Sequence, residues 1–301
     1  MTRSPQIGFL DDGRRFHLQD GPIDLIIEAS ASATNVRLAY AAAAGAFTGL
    51  LDRLCEELPE LRRPVPPPPC RLKGKVARRM HYAVLPFAAA HFITPMAAVA
   101  GAVAEEILDA MCRTTPLARA YVNNGGDIAL HLAEGEHFTV GLVDRPDAPG
   151  PMRTTVIKAD DPSRGVATSG RHGRSFSLGI ADAVTVLART AAQADAAATI
   201  IANAVDLPGH PAIVRRPACD LQPDSDLGAL LVTCDVGVLQ PSEIATALGA
   251  GEDCARALLA RGLIDGAALR LHGAMRVVAL QAIDTPTMRG VGDRIEGAMH
   301  A

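Results

Sequence analysis

Tryptophan is absent from this chain of 301 residues, and the aromatic residues together make up 3%. A core with so few rings must be built from Ala, Val, Leu and Ile, and its many small residues let helices and sheets approach closely. Excess positive charge is also missing. The formal net charge of -4 gives no electrostatic footprint for nucleic acid or an anionic membrane surface. No apolar run reaches the ~20 residues of a transmembrane helix, and Met1 to Pro22 is polar, without the apolar core of a signal peptide. The six cysteines (Cys55, Cys70, Cys112, Cys219, Cys234 and Cys254) form no Cys-x-x-Cys pair and no Cys/His cluster with zinc spacing. Isolated thiols fit a reducing compartment, so a cytoplasmic protein is the expectation. A P-loop, a dinucleotide-binding glycine fingerprint and the order of a Ser-His-Asp or Cys-His site are absent as well.

What is present is a succession of strands and alanine-rich helices. Ile23 to Glu28 reads as a strand, followed by a turn with Ser32 or Thr34 as helix cap. One long helix is expected from there to about Leu58. Pro64 to Pro69 is an extended connector. Thr94-Pro95 opens a second helix to Met111, small on one side at Ala97, Ala98, Ala100, Gly101 and Ala104. Its small face permits a homo-oligomer as well as close packing against a sheet. Arg119 to Leu132 reads as strand, tight turn and strand. Phe138 to Val143 and Thr154 to Lys158 alternate as an antiparallel pair, and Ala183 to Ala188 is a strand leading into a helix that ends at Val205. Two short helices, Ser242 to Leu248 and Asp253 to Arg261, precede a hairpin of Ala267 to Leu271 and Met275 to Leu280. The strand-then-alanine-rich-helix order occurs twice, which points to a doubled unit.

Three segments carry chemistry. Asp195 and Thr199 lie four residues apart on an alanine-rich helix, so their oxygens face one way. Such a pair suits magnesium, which takes one or two protein oxygens and leaves its other positions to water and phosphate. The plainer reading is a surface aspartate and a threonine bonded to its own helix. Asn124-Gly125-Gly126-Asp127 either cradles a phosphate on bare backbone N–H groups, with Asp127 on a ribose or ring donor, or is simply a hairpin turn. Thr168, Ser169 and Gly170 offer two hydroxyls and a glycine after a strand, suited to a phosphate or flavin carbonyl or to an ordinary loop. Arg171, His172 and Arg174 follow, a solvated loop or a charged lid. His172 is the histidine placed to act as acid or base. The basic stretch Arg71, Lys73, Lys75, Arg78 and Arg79 has no interleaved aromatics and reads as a solvated face able to attract a phosphorylated ligand.

In this order the segments resemble the ApbE-like superfamily, best known for FAD:protein FMN transferases. Gly125-Gly126-Asp127-Ile128 is similar to its Gly-Gly-Asp-Ile element, Ala167-Thr168-Ser169-Gly170 to its Thr-Ser-Gly element, and Ala194 to Thr199 to its Ala-Asp-Ala-x-Ala-Thr helix. Pro95 to Glu105, Ala181 to Val186, and the pattern around Asp226-Leu227-Gly228, Ala247-Leu248 and Arg261 to Ile264 resemble a compact branch of that superfamily. The resemblance implies an α+β fold of T-fold type, with doubled antiparallel sheets and paired helices. It implies one ApbE-like domain of two halves, about 1–118 and 119–301, with a C-terminal helical hairpin extension at about 240–285. It also implies that Asp195 and Thr199 hold Mg2+, and that Asn124, Gly125, Gly126, Asp127, Thr168, Ser169 and Gly170 line a cleft for FAD or FMN.

Three departures stand beside the resemblance. Ser175 to Ile180 occupies the place of the transferases' His-x-x-Asp-Pro-x-x-Gly stretch. Val99 to Ala102 has no lysine, and Asn123 stands where the compact branch has glutamate. The expected function is therefore magnesium-dependent cleavage or transfer at a flavin-nucleotide diphosphate, with a possible protein acceptor offering a threonine. The alternatives are a non-catalytic flavin or nucleotide binder or an accessory protein for another enzyme, and a different reaction on the same scaffold such as sulfur assimilation, for which Cys70 and Cys219 are the cysteines expected to be exposed.

Overall fold

The computed structural model describes residues 4–65, 70–142, 153–279, 283–284 and 298–300. Most of the proline run and the loop between the two expected strands near residue 150 lie outside them. In chain order the elements are β1 Gln6–Phe9, β2 Phe16–Asp20, β3 Ile23–Ser30, α1 Ala33–Phe47, α2 Leu50–Glu56, α3 Leu58–Leu61, α4 Lys75–Val84, α5 Val99–Thr114, β4 Arg119–Asn124 and β5 Asp127–Leu132. There follow β6 His137–Leu142, β7 Arg153–Lys158, β8 Gly165–Ser169, β9 Ala183–Ala188, α6 Ala191–Ala204, β10 Ile213–Pro217, α7 Ala218–Leu221, β11 Leu231–Val236, α8 Pro241–Ala260, β12 Gly266–Leu271, β13 Ala274–Val278, β14 Ile283–Asp284 and β15 Ala298–His300. The chain divides into two units. One holds residues 1–137, 157–167 and 189–195, and the other holds 138–156, 168–188 and 196–301.

In the first unit the strands run β1-β2-β3-β4-β5-β8, each antiparallel to its neighbour. Period-two burial drives this arrangement: Ile23, Leu25 and Ile27 of β3 are buried and the residues between them are only half-buried. Helix α5 lies on β4 and β5 and against α1. Its buried face begins Gly101, Ala102, Val103, Ala104 and continues through Ile107, Leu108 and Met111. The hairpin β1–β2 falls within the polar N-terminus, where no strand is expected from composition. Phe9, Phe16 and Tyr40 form its ring cluster, with Phe16 and Tyr40 stacked at 4.9 Å.

In the second unit β9 pairs with β12 and β12 with β13, both antiparallel. All six residues of β9 are buried. A separate ribbon joins β10 to β11, and a small sheet runs β14-β7-β6-β15. Helix α8 covers β12 and β13.

Two helix expectations are corrected. The long helix from Ser32 stops at Phe47, because Thr48 bonds back to Ala44 O and Gly49 takes a left-handed φ of 67°, which restarts the chain as α2. Conversely, the two short C-terminal helices are one helix, α8, and the extension is a helix followed by a β-hairpin. A box between Gln240 and Glu243 caps its start. The helix runs through Gly249 and Gly251, since Gly251 is where the Val205 and Leu269 side chains press in.

Candidate functional site

Helix α5 begins without a cap of its own. Thr94 accepts the Met96 N–H of the preceding 3-10 turn at 3.2 Å, but Ala98, the residue before α5, makes no side-chain cap bond. The second and third N–H groups of α5, from Ala100 and Gly101, are served instead by Asp195 of α6, whose Oδ2 accepts from Gly101 at 3.0 Å. Asp195 is half-buried as a residue, and burial of its carboxyl pushes the pKa up to about 7 against the opposing pull of these two N–H bonds. The field of the α5 N-terminus favours its anion. Asn124, buried at the end of β4, donates from Nδ2 to Ala100 O at 3.2 Å. Asp195 and Asn124 therefore converge on one turn of backbone.

The relation is reciprocal. Thr190 caps α6 through its hydroxyl, which accepts the Gln193 N–H at 3.2 Å, and Glu105 of α5 accepts the Ala192 N–H at 2.7 Å. Burial raises the Glu105 pKa, opposed by its bonds to Ala192 and Thr190 and by the Arg79 guanidinium. Arg79 Nε lies 2.9 Å from Glu105 Oε2 and its Nη2 lies 2.5 Å from Asp109 Oδ2. Lys75 Nζ reaches Glu106 at 2.7 Å. The basic stretch is thus corrected at Arg79, whose half-buried guanidinium is committed to the carboxylates of α5, whereas Lys75 stays exposed while pairing with Glu106, and Arg71, Lys73 and Arg78 are exposed as expected.

The turn Asn124 to Asp127 closes a two-residue hairpin, with Gly125 at φ 67° and Gly126 at φ 111°. Gly125 is exposed, and Gly126 and Asp127 are half-buried. The Gly126 N–H is not bare, for it donates to Asn123 Oδ1 at 2.8 Å. The asparagine that departs from the compact branch pins this turn.

In the second unit Thr168 and Ser169 end β8 rather than following it, and Thr168 Oγ1 lies 2.9 Å from Thr185 Oγ1. Gly170 has no room for a side chain, since a Cβ there would lie 2.5 Å from Asp182 O. Asp182 is the residue that sequence reasoning left unused. Its Oδ1 accepts from Arg171 Nε at 2.9 Å and Nη2 at 2.7 Å, its Oδ2 accepts the His272 N–H at 2.5 Å, and His172 Nε2 stands 3.4 Å from Oδ1. A lone carboxylate opening an otherwise apolar strand was the signal for it. His172 is exposed, and Arg171 competes with it for the Asp182 oxygen. Thr199 is half-buried, one turn beyond Asp195 on α6.

The donor chemistry is oxygen only. Among the described residues, no group of three or more His, Cys, Asp or Glu side chains is placed to hold a metal. Carboxylate and hydroxyl oxygens are donors of the kind that suit magnesium, which keeps most of its shell as water and phosphate, rather than zinc. The cysteine expectation is also corrected. Cys55 and Cys234 are exposed, whereas Cys70 and Cys219 are only partly so. The exposed pair sits on the short helix α2 and on β11 of the two-stranded ribbon. Burial pushes the Cys112 thiol up to about 11. Among the described residues no helix is long and apolar enough to cross a membrane.

These features define an α+β protein whose alanine-rich helices carry buried carboxylates at one another's starts. A family model described as AbpE bacteria matches residues 7–277, and the chain belongs to that family. A UPF0280 protein of Methanopyrus kandleri is 39% identical over 143 residues, 47% of this chain and 54% of that protein. A UPF0280 protein of Methanothrix thermoacetophila is 35% identical over 147 residues, 48% of this chain and 58% of that protein. The chain thus spans about half the length of the curated relatives it matches. The crystal structure of Pseudomonas stutzeri flavinyl transferase ApbE, apo form, aligns over 92% of this chain and 95% of that one, at 11% identity and a TM-score of 0.46.

Proposed function

We propose that this protein binds a flavin nucleotide together with Mg2+ and cleaves or transfers at its diphosphate. The observation that supports the reading most is Asp195, a carboxylate whose described partners are two backbone N–H groups and no cation. A carboxylate accepts at up to about four lone-pair sites, so capacity remains after those bonds. Burial without a counter-charge is costly, and a divalent cation supplies one.

Asp195 and Thr199 are the residues that would hold the metal. Bound there, magnesium would polarise a phosphoryl oxygen and steady charge on the leaving group. The remaining roles belong to the chain itself. Gly125 and Gly126 expose backbone in a left-handed turn that a flat ligand can approach. Asp127 is the acceptor for a ribose or ring donor, and Thr168, Ser169 and Gly170 are the other lining residues. His172, held near Asp182, is the group for proton handling. If transfer occurs, the acceptor is a hydroxyl on a protein partner. Residues 1–301 act as one domain of two similar halves in this reading.

The test is incubation with FAD and Mg2+, followed by release of AMP. Asp195→Asn should lower that release by about 100-fold or more, beyond the loss usual for a residue behind the ligands. A second reading is favoured by the Asn123 bond to Gly126, which removes one backbone donor from the turn. It is a flavin or nucleotide binder without turnover. Flavin absorbance retained through purification, with no AMP released by the parent protein, would select it.

A further inference from the structure

Helices α5 and α6 exchange carboxylates at their first turns. On α5 the donor is Gly101 and the carboxylate is Glu105, one turn on; on α6 the donor is Ala192 and the carboxylate is Asp195, again one turn on. Each acid therefore closes the exposed N–H groups of the other helix. The backbones touch where the exchange occurs: a Cβ on Gly101 would lie 2.3 Å from Ala191 O and 2.7 Å from Ala192 N. No side chain separates the helices there, so hydrogen bonds set how far one slides along the other.

We infer that Glu105 is a positioning residue for Asp195. It fixes the axial place of the first turn of α6, and so the direction in which the Asp195 carboxylate is held. Arg79 completes the device, with Nε 2.9 Å from Glu105 Oε2 and Nη1 donating to Ala102 O at 3.3 Å. One Glu105 oxygen is thereby tied to α4 while the other is left for Ala192. Where the effect is read on a cation, the inference rests on the proposal that Asp195 holds one.

Two readouts test it in the full chain: amide hydrogen exchange at Gly101, with Val122 of β4 as the distant control, and calorimetric titration with Mg2+ alone. Glu105→Ala should speed Gly101 exchange and weaken Mg2+ binding by about tenfold each, the lower end of losses for groups behind a metal ligand, and leave Val122 unchanged. Glu105→Gln keeps an oxygen for the Ala192 N–H and should stay within about threefold of the parent on both. The inference is overturned if Glu105→Ala leaves Gly101 exchange unchanged, if Glu105→Gln is as damaging as Glu105→Ala, or if Val122 accelerates along with Gly101. Should Glu105→Ala fail to fold, Arg79→Gln replaces it. That variant must speed Gly101 exchange where Glu105→Gln does not, and equal rates in the two overturn the inference. A parent protein that binds no Mg2+, yet shows the Gly101 response, removes the cation reading and leaves the positioning of Asp195 standing.

Discussion

Gly101 on α5 and Gly165 on β8 press on adjacent peptides, the two that flank Ala191 at the start of α6. A Cβ on Gly101 would lie 2.3 Å from Ala191 O, and a Cβ on Gly165 would lie 2.2 Å from Thr190 C and O. The obstacle in both cases is backbone, which cannot swing aside as a side-chain tip can. Gly101→Ala and Gly165→Ala should each destabilise the fold by about 3 kcal/mol, the upper end for an inserted methyl group. Because both displace peptides of Ala191, the double variant should cost less than the two single losses added together. Urea midpoints of the three variants measure this. Full additivity would show that the two glycines do not share a neighbour.

Asp182 gives a prediction that reads out locally. It is buried and takes donors from Arg171 and the His272 backbone. Asp182→Ala leaves the Arg171 guanidinium and a backbone N–H without their acceptor, which costs on the order of 3 kcal/mol. The segment Gly170 to Arg174 then loses its anchor. Limited trypsin digestion should cut the variant after Arg171 or Arg174 faster than the parent under conditions where both remain folded. Equal cutting would mean that Gly170, packed against Asp182 O, holds the segment alone.

The contrast between these residues shows what was legible in the chain. The Asn124 to Asp127 turn, strands β4, β5 and β9 and helix α6 follow from local signals: paired glycines, alternation and an apolar run. The partners of Asp195 do not follow from local signals. The spacing of Asp195 and Thr199 predicts one shared helix face but says nothing of Gly101, which reaches Asp195 only through tertiary packing. Glu105 and Asp182 were visible as acids within apolar segments, yet their roles depend on backbone brought from far along the chain. The glycines misled in opposite ways. Gly49 breaks a helix that periodicity carries through it, while Gly251 sits unbroken in α8 because close packing needs a residue without a side chain.

His81 on α4 makes stability depend on pH. It is buried, its Nε2 has no partner among the described residues, and its ring meets Tyr82 edge-on at 5.4 Å. Burial holds its pKa below the ordinary histidine value of 6.5. The unfolded chain therefore binds this proton more tightly than the folded one. The stability associated with neutral His81 is complete above 6.5 and is lost as pH falls below it. The loss from this single site is at most about 1.4 kcal/mol per pH unit. His81→Leu, of similar volume and without a titrating group, should flatten the stability curve from neutral pH down to about pH 5. Urea unfolding at a series of pH values measures it, and an unchanged slope in the variant would assign the acid sensitivity elsewhere.

Gly249 and Gly251 lie two residues apart on α8 and should respond to alanine in opposite directions. A Cβ on Gly249 would meet nothing within 4 Å, so Gly249→Ala only removes the backbone freedom of the unfolded chain and improves helix propensity. It should stabilise the protein by about 0.5–1 kcal/mol. A Cβ on Gly251 would lie 2.3 Å from Val205 Cγ2 and 2.7 Å from Leu269 Cδ2. Both are methyl groups of buried or closely packed side chains, so relief requires rotamer changes in a core with few voids. Gly251→Ala should therefore destabilise by about 1–3 kcal/mol in spite of the same propensity gain. Thermal melts of the two variants beside the parent decide it. If Gly251→Ala melts at or above the parent temperature, the helix does not approach Val205 as closely as described, and the unbroken course of α8 needs another cause.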